Sequence, residues 1–175
     1  MWTWYASRAT GLVSIGLLTA TVVLGLLVSG RHVTPRWPRF AISDVHRNLS
    51  LLTLVFLAVH IVTSIVDGYV TIGWLAVLVP FTSAYEPFWV GLGTVALDVL
   101  LALVVTSLLR SHMSLRVWKA VHWTAYACWP LALAHGIGMG SGAWLVFSGL
   151  CGVAVISALV WRASRTNADT LARAR

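Results

Sequence analysis

Long apolar runs, separated by short polar or basic stretches, dominate the chain. An α-helix needs about 20 mostly apolar residues to cross a bilayer. Five runs approach or exceed that length, and they predict transmembrane helices at residues 9–29, 43–66, 87–110, 115–137 and 143–161. We therefore expect an all-α membrane protein, in which residues 1–175 form one bundle of five helices.

A sixth apolar run lies between the second and third predicted spans. It extends from Tyr69 to Val79 and stops at Pro80, so it is too short to cross the membrane. A segment of this length is typical of an interfacial or re-entrant helix. We predict such a helix here, in addition to the five spans.

The composition agrees with a membrane protein. Hydrophobic residues make up 59% of the 175 residues and charged residues only 10%, whereas a soluble domain carries roughly 25% charged residues. Five spans and their loops account for nearly the whole sequence, so we expect no soluble catalytic domain within it. The net charge of +7 does not indicate a nucleic-acid partner, because the basic residues lie in short loops between the apolar runs.

The same basic residues predict the orientation. Five alternating spans place all twelve Lys and Arg residues except Arg8 on one side of the membrane. Loops rich in Lys and Arg stay in the cytoplasm. We therefore expect the N-terminus outside and the C-terminus in the cytoplasm, in a plasma membrane such as a bacterial inner membrane.

Two of the predicted spans each carry a pair of histidines. His46 and His60 are fourteen positions apart in the second span, and His122 and His135 are thirteen positions apart in the fourth. The predicted topology makes these spans parallel, so His46 and His122 share an inner level and His60 and His135 an outer level. A rise of 1.5 Å per residue separates the two levels by roughly 20 Å.

Ionisable side chains within a bilayer are costly and indicate a functional site. Imidazole is an axial ligand of haem iron, and two such ligands suit electron transfer. Histidines roughly 20 Å apart cannot share one metal ion, so we predict two haems, one at each level. The plainer alternative is that these are packed or interfacial histidines that hydrogen-bond to their neighbours.

The spacing of the two histidines fits helix geometry in the second predicted span but not in the fourth. A separation of fourteen positions is four turns at about 3.5 residues per turn, so His46 and His60 lie on one face. A separation of thirteen falls short of four turns, which would leave His135 away from the face of His122. We expect Pro130, which removes a backbone hydrogen bond, to kink this helix and help absorb the mismatch.

This arrangement of histidines resembles the ferric reductase-like transmembrane domain of ferric reductases, NADPH oxidases and the haem-bearing membrane subunit of bacterial methionine sulfoxide reductase systems. NADPH oxidases and related ferric reductases have histidine pairs with these same two separations on two helices, as in His46/His60 and His122/His135. The resemblance implies that the domain holds two b-type haems. His46 and His122 would bind the inner haem iron, and His60 and His135 the outer one.

The resemblance also implies a path for electrons. They would pass from a cytosolic flavin dehydrogenase through the inner and outer haems to an external acceptor such as ferric iron, oxygen or a protein. The oxidases have an additional N-terminal helix and a C-terminal flavin and nicotinamide domain, and we recognise neither in this sequence. Flavin and NAD(P)H are therefore expected only on a separate reductase partner, with this chain as the membrane haem component of an oxidoreductase and no catalytic residue of its own.

Other residues are candidates for supporting roles. Arg47, beside His46, is expected to bind a haem propionate, because a guanidinium group matches a carboxylate. Asp98, within the third span, is expected either to accept the Nδ1 proton of an axial histidine or relay protons, or to be a protonated acid bonded to a hydroxyl. The segment 69–80 is a candidate cap over the outer haem. His32 and His112 fall in cytoplasmic loops and are expected to be solvated.

Two other functions remain open from the sequence. One is a haem-free membrane protein that binds a ligand or conducts protons, with the histidines and Asp98 along a polar path. The other is a single-haem subunit linked to quinone. The terminal acceptor is not indicated by any residue pattern.

Overall fold

The computed structural model of the protein describes residues 2–29 and 38–173, and these form helices joined by short connections. The prediction of an all-α fold is confirmed, since the described part of the chain contains no strand. The elements are α1 Trp2–Ser29, α2 Arg39–Val66, α3 Leu75–Leu78, α4 Pro87–Leu108, a 3₁₀ turn Arg110–His112, α5 Leu115–Trp123, α6 Ala125–Met139 and α7 Ala143–Arg173.

Four of these helices are long and apolar enough to cross a membrane. The qualifying segments are Trp2–Leu27, Phe40–Val66, Pro87–Leu108 and Ala143–Arg165. They correspond to the first, second, third and fifth predicted spans, so the prediction of an integral membrane protein is confirmed. The fourth predicted span differs, because it is divided into α5 and α6, each of which is too short to cross alone.

The division between α5 and α6 falls at Thr124. Its backbone N–H donates to the carbonyl of Val121, and its own carbonyl accepts from Ala127, each at 2.9 Å. These bonds join residues three apart, as in a tight 3₁₀ turn. The helix is therefore interrupted between His122 and His135 at Thr124, whereas Pro130, where we expected the kink, lies inside α6.

Helix α1 runs antiparallel to α2. Near its start, the Thr3 hydroxyl donates to the Asp67 carboxylate at 3.0 Å, and the hydroxyls of Ser7 and Ser64 share a hydrogen bond of 2.6 Å. Near its end, the carbonyl of Thr21 contacts His46, at the other end of α2. The start of α1 therefore lies beside the end of α2, and the end of α1 lies beside the start of α2.

The apolar core lies in the middle of the bundle, between the levels of the histidines. The Trp129 indole N–H donates to the Thr19 hydroxyl at 2.9 Å, which joins α6 to α1, and the Cys128 thiol donates to the carbonyl of Ala96 at 3.3 Å, which joins α6 to α4. The buried cluster comprises Ile15, Leu18, Ala96, Leu100, Leu103, Cys128, Trp129, Cys151 and Val155.

The segment that contains α3 packs across the start of α4. Ala76 is buried, and its carbonyl accepts a 2.6 Å hydrogen bond from the buried hydroxyl of Thr94. The ring of Phe81 occupies the space where a side chain on Gly91 would lie. These contacts hold the short helix that we predicted between the second and third spans against the bundle.

Candidate functional site

The four predicted histidines meet in two pairs. The ring centroids of His46 and His122 are 6.3 Å apart, and those of His60 and His135 are also 6.3 Å apart. The two rings of the first pair are inclined at 59° and those of the second at 79°. The structure therefore brings together the same partners that the sequence placed at common depths.

The shared separation fits one metal atom between each pair of rings. A bond from a histidine nitrogen to a metal is about 2.0 Å long, and the ring centroid lies about 1.1 Å behind that nitrogen. Two imidazoles on opposite sides of one metal therefore have centroids roughly 6 Å apart. The described residues contain no cluster of three or more His, Cys, Asp or Glu side chains able to hold an ion, so each pair offers two ligands, the number that a haem iron requires.

A cavity of about 270 Å³ contains the second pair, His60 and His135. Most of its wall is apolar, as expected for a cofactor site. Residues of the segment 69–80, among them Tyr69 and Val77, also line it, so this segment forms part of the cavity wall, and its role as a cap stays a prediction. Apolar wall residues from the surrounding helices are Leu18, Leu57, Ile61, Val90, Leu97 and Ala132.

Three of the histidines are oriented by backbone carbonyls. Nδ1 of His46 bonds to the carbonyl of Thr21 at 3.0 Å. Nδ1 of His60 bonds to that of Ser7, and Nδ1 of His135 to that of Trp89, each at 2.8 Å. A carbonyl can only accept, so Nδ1 carries the proton in each case and Nε2 keeps the lone pair that a metal needs.

His122 is held differently. Its Nδ1 is buried and has no hydrogen-bond partner among the described residues, and the same is true of Nε1 of Trp118. The Trp118 ring stacks on the His122 ring with centroids 4.8 Å apart and planes inclined at 19°. The Arg110 guanidinium lies 5.0 Å from the centroid of the Trp118 ring. Stacking therefore replaces the carbonyl bond at this one histidine.

Sequence reasoning missed the residues that surround the histidines. Gly11 and Gly93 each leave space that a histidine ring fills, since a Cβ atom on Gly93 would lie 2.8 Å from Nδ1 of His135, and Gly25 faces the ring of His46 at ordinary contact distance. The backbone carbonyls that orient the rings leave no trace in the sequence, since every residue has one. A signal did exist in α1, because the interval from Gly11 to Gly25 equals the interval from His46 to His60.

The remaining candidates lie away from the histidine pairs or outside the described residues. Arg47 forms an ion pair of 3.8 Å with Asp44, with 71% of its side chain exposed, and its contact with a propionate stays a prediction. His112 is exposed and contacts the Ser111 hydroxyl at 3.1 Å, as expected of a solvated loop residue. His32 lies outside the described residues.

The expectation that Asp98 accepts an Nδ1 proton is wrong for the three histidines with carbonyl partners. Asp98 is exposed on the surface of α4. The backbone already supplies the acceptor for each of those rings, so no carboxylate is needed there. A carbonyl also brings no charge into the bundle, which avoids the cost of a buried carboxylate.

Fold and site together define a helical membrane protein with two pairs of histidines between its helices, each pair spaced for one metal atom. The chain belongs to the family described as ferric reductase like transmembrane component, whose sequence model matches residues 10–133. The match includes His46, His60 and His122, and it ends just before His135. No curated protein and no solved structure matches the chain. Membership confirms the resemblance and indicates a role in membrane electron transfer.

Proposed function

We propose that the protein carries electrons across the membrane through two bis-histidine b-type haems. His46 and His122 would bind the inner iron, and His60 and His135 the outer iron. The observation that carries this proposal is the common 6.3 Å separation of the ring centroids in both pairs. Bound at these positions, haem supplies reversible one-electron chemistry without a change of ligands.

The residues of the outer site prepare the ligands and exclude water. The carbonyls of Ser7 and Trp89 hold the protons of both histidines on Nδ1, which leaves both Nε2 atoms free to coordinate. Apolar side chains form most of the wall, and the segment 69–80, which contributes to that wall, would act as its cap. A low-dielectric surrounding of this kind influences the reduction potential of an iron site.

We propose that α5 and α6 together make the fourth of five crossings. Residues 115–139 extend over about 37 Å at 1.5 Å per residue, which is long enough to span the hydrocarbon core. The pairing of His46 with His122 in α5 and of His60 with His135 in α6 supports a course of α5 and α6 parallel to α2. With the charge distribution, this topology favours an N-terminus outside and a C-terminus in the cytoplasm.

Family membership supports a separate redox partner for this chain. We propose that the donor is a cytosolic flavin reductase or dehydrogenase that delivers electrons to the inner site. The exposed basic residues Arg116 and Lys119 of α5 would face this donor. The external acceptor would be ferric iron, oxygen or a protein partner, reached from the outer site.

Haem stoichiometry and optical spectra of the purified chain test the proposal. We expect two b-type haems per chain after expression with added haem. His60→Ala and His135→Ala should each remove the outer haem and leave the inner one, whereas His46→Ala and His122→Ala should do the reverse. Absence of any haem signal, or equal loss of both haems in every variant, would contradict the proposal.

One observation favours a second candidate, a single-haem subunit that uses only the outer site. Nδ1 of His122 has no partner among the described residues, so one ligand of the inner site is less firmly oriented than the other three. A ratio of one haem per chain, lost in His60→Ala and retained in His122→Ala, would select this candidate. A proton path is less well supported, because Asp98 lies on the surface of α4 rather than beside the histidines.

A further inference from the structure

The start of α1 offers two features to one histidine. The carbonyl of Ser7 accepts the hydrogen bond from Nδ1 of His60 at 2.8 Å. One turn later, a Cβ atom on Gly11 would lie 3.0 Å from both Nδ1 and Cε1 of the same ring. The ring therefore rests in the space where Gly11 has no side chain and bonds to the carbonyl four residues earlier.

The same arrangement recurs about four turns further along α1. The carbonyl of Thr21 accepts from Nδ1 of His46 at 3.0 Å. Gly25, again four residues later, faces this ring, and its Cβ atom would lie 3.6 Å from Cε1. Helix α1 thus carries two copies of the arrangement at the spacing that separates the histidines of α2.

A third copy lies on α4. The carbonyl of Trp89 accepts from Nδ1 of His135 at 2.8 Å. Gly93, four residues later, faces the ring so closely that a Cβ atom would lie 2.8 Å from Nδ1 and 2.9 Å from Cε1. Two helices that carry no predicted ligand therefore hold three of the four ligands in the same way.

Helix geometry explains why the glycine follows the carbonyl by four residues. In an α-helix the carbonyl of residue i points toward residue i+4, whose N–H it accepts. A carbonyl oxygen has a second lone pair, but a side chain at i+4 restricts access to it from a neighbouring helix. Glycine at that position leaves the lone pair open and lets the imidazole approach the backbone.

We propose that this carbonyl–glycine seat is a positioning device for haem ligation, with Gly11 and Gly93 as positioning residues and Gly25 in the corresponding place beside His46. It rests on the proposed function, and it extends the site to two helices without ligands. The seat fixes the proton on Nδ1 and the direction of the ring, so that Nε2 faces the iron before haem arrives. The outer site has two seated ligands and the inner site has one.

The fourth ligand shows what happens without a seat. A further copy on α4 at the inner level would need a glycine at 106 or 107, where the chain has Thr106 and Ser107. The His122 ring has no carbonyl partner for Nδ1 among the described residues and is stacked on Trp118 instead. The presence of the glycine and the presence of the carbonyl bond therefore coincide at all four histidines.

Alanine substitutions of these glycines distinguish a role in seating a histidine ring from an ordinary structural role in the helix. Alanine is a better helix former than glycine, so a helix without a seat should tolerate it or become more stable. Gly93→Ala should instead displace His135 and remove most of the outer haem, Gly11→Ala should lower outer haem content less, and Gly25→Ala should have little effect. This order follows the Cβ distances of 2.8, 3.0 and 3.6 Å. Gly149→Ala and Gly152→Ala are matched controls, since both lie in α7, which carries no predicted ligand, and nothing lies within 4 Å of either Cβ position.

Two measurements on the full chain read out the seat. Haem content and the electron paramagnetic resonance signal of the ferric protein report loss of a site and rotation of its ligand rings. Solid-state ¹⁵N nuclear magnetic resonance of haem-free protein reports which ring nitrogen carries the proton, with no dependence on haem. We expect the Nδ1–H tautomer at His46, His60 and His135 in the unaltered chain, and its loss at His135 in Gly93→Ala.

The outcomes distinguish failure of the seat from failure of the proposed function. If the unaltered chain binds haem and Gly93→Ala matches Gly149→Ala in both measurements, the seat is overturned. If the unaltered chain binds no haem, the proposed function fails, and the tautomer of His135 in Gly93→Ala still decides the seat. If Gly93→Ala does not fold, Gly11→Ala and the tautomer of His60 decide it by the same criteria.

Discussion

The outer and inner histidine pairs have the same ring separation but different surroundings. At the outer pair, both rings bond to backbone carbonyls, and both face a glycine. At the inner pair, only His46 has this support, and His122 depends on stacking with Trp118. The two pairs therefore have the same ring separation although their rings are oriented by different contacts. We expect the two sites to respond differently to substitution of the residues that make these contacts.

The largest effect is expected from removal of an outer ligand. His60→Ala should abolish the low-spin outer haem signal, because one axial bond is lost within a site whose other ligand is held in place. Added imidazole should restore the signal, since the cavity beside His60 leaves room for a small ring. Optical titration with imidazole measures this rescue. Loss of the inner haem in the same variant would show that the two sites are not independent.

A smaller effect, confined to the inner site, is expected when Trp118 is removed. Aromatic pairs contribute about 0.5–1.5 kcal/mol beyond their buried area, so Trp118→Ala should weaken inner haem binding roughly two- to tenfold. Haem titration with separate inner and outer signals measures the change. Trp123→Ala is the matched control, because Trp123 belongs to the same helix and is 67% exposed. An equal loss at the outer site would count against the contrast between the pairs.

The histidine pairs could be predicted because helical periodicity converts distance along the sequence into depth in a membrane. Their supports could not, because a ring can bond to any backbone carbonyl within reach. The surface position of Asp98 was equally inaccessible, since α4 is apolar on all sides and no amphipathic pattern marks its inward face. Thr124 carries no breaking signal comparable to that of Pro130, and a transmembrane helix can accommodate a proline.

The segment 69–80, which we propose as the cap of the outer cavity, provides a third test. The buried hydroxyl of Thr94 donates to the carbonyl of Ala76, and a hydrogen bond of this kind contributes about 1 kcal/mol. Thr94→Val keeps the shape and removes the bond, so it should loosen the segment 69–80 and increase access to the outer haem roughly fivefold. The rate of reduction by an impermeant reductant added outside measures access. Thr106→Val is the control, since the Thr106 hydroxyl bonds only within its own helix.

The smallest effect is expected from Arg47, at the inner end of α2. Its ion pair with Asp44 is exposed, and exposed pairs contribute about 0.2–1 kcal/mol. Arg47→Ala should therefore change stability little, and any weakening of haem binding should stay below about fivefold and be confined to the inner site. Redox titration tests the predicted propionate contact more directly, because loss of a nearby cation should lower the inner midpoint potential. Arg47→Lys keeps the charge and should retain that potential, and an unchanged potential in Arg47→Ala would remove Arg47 from the haem site.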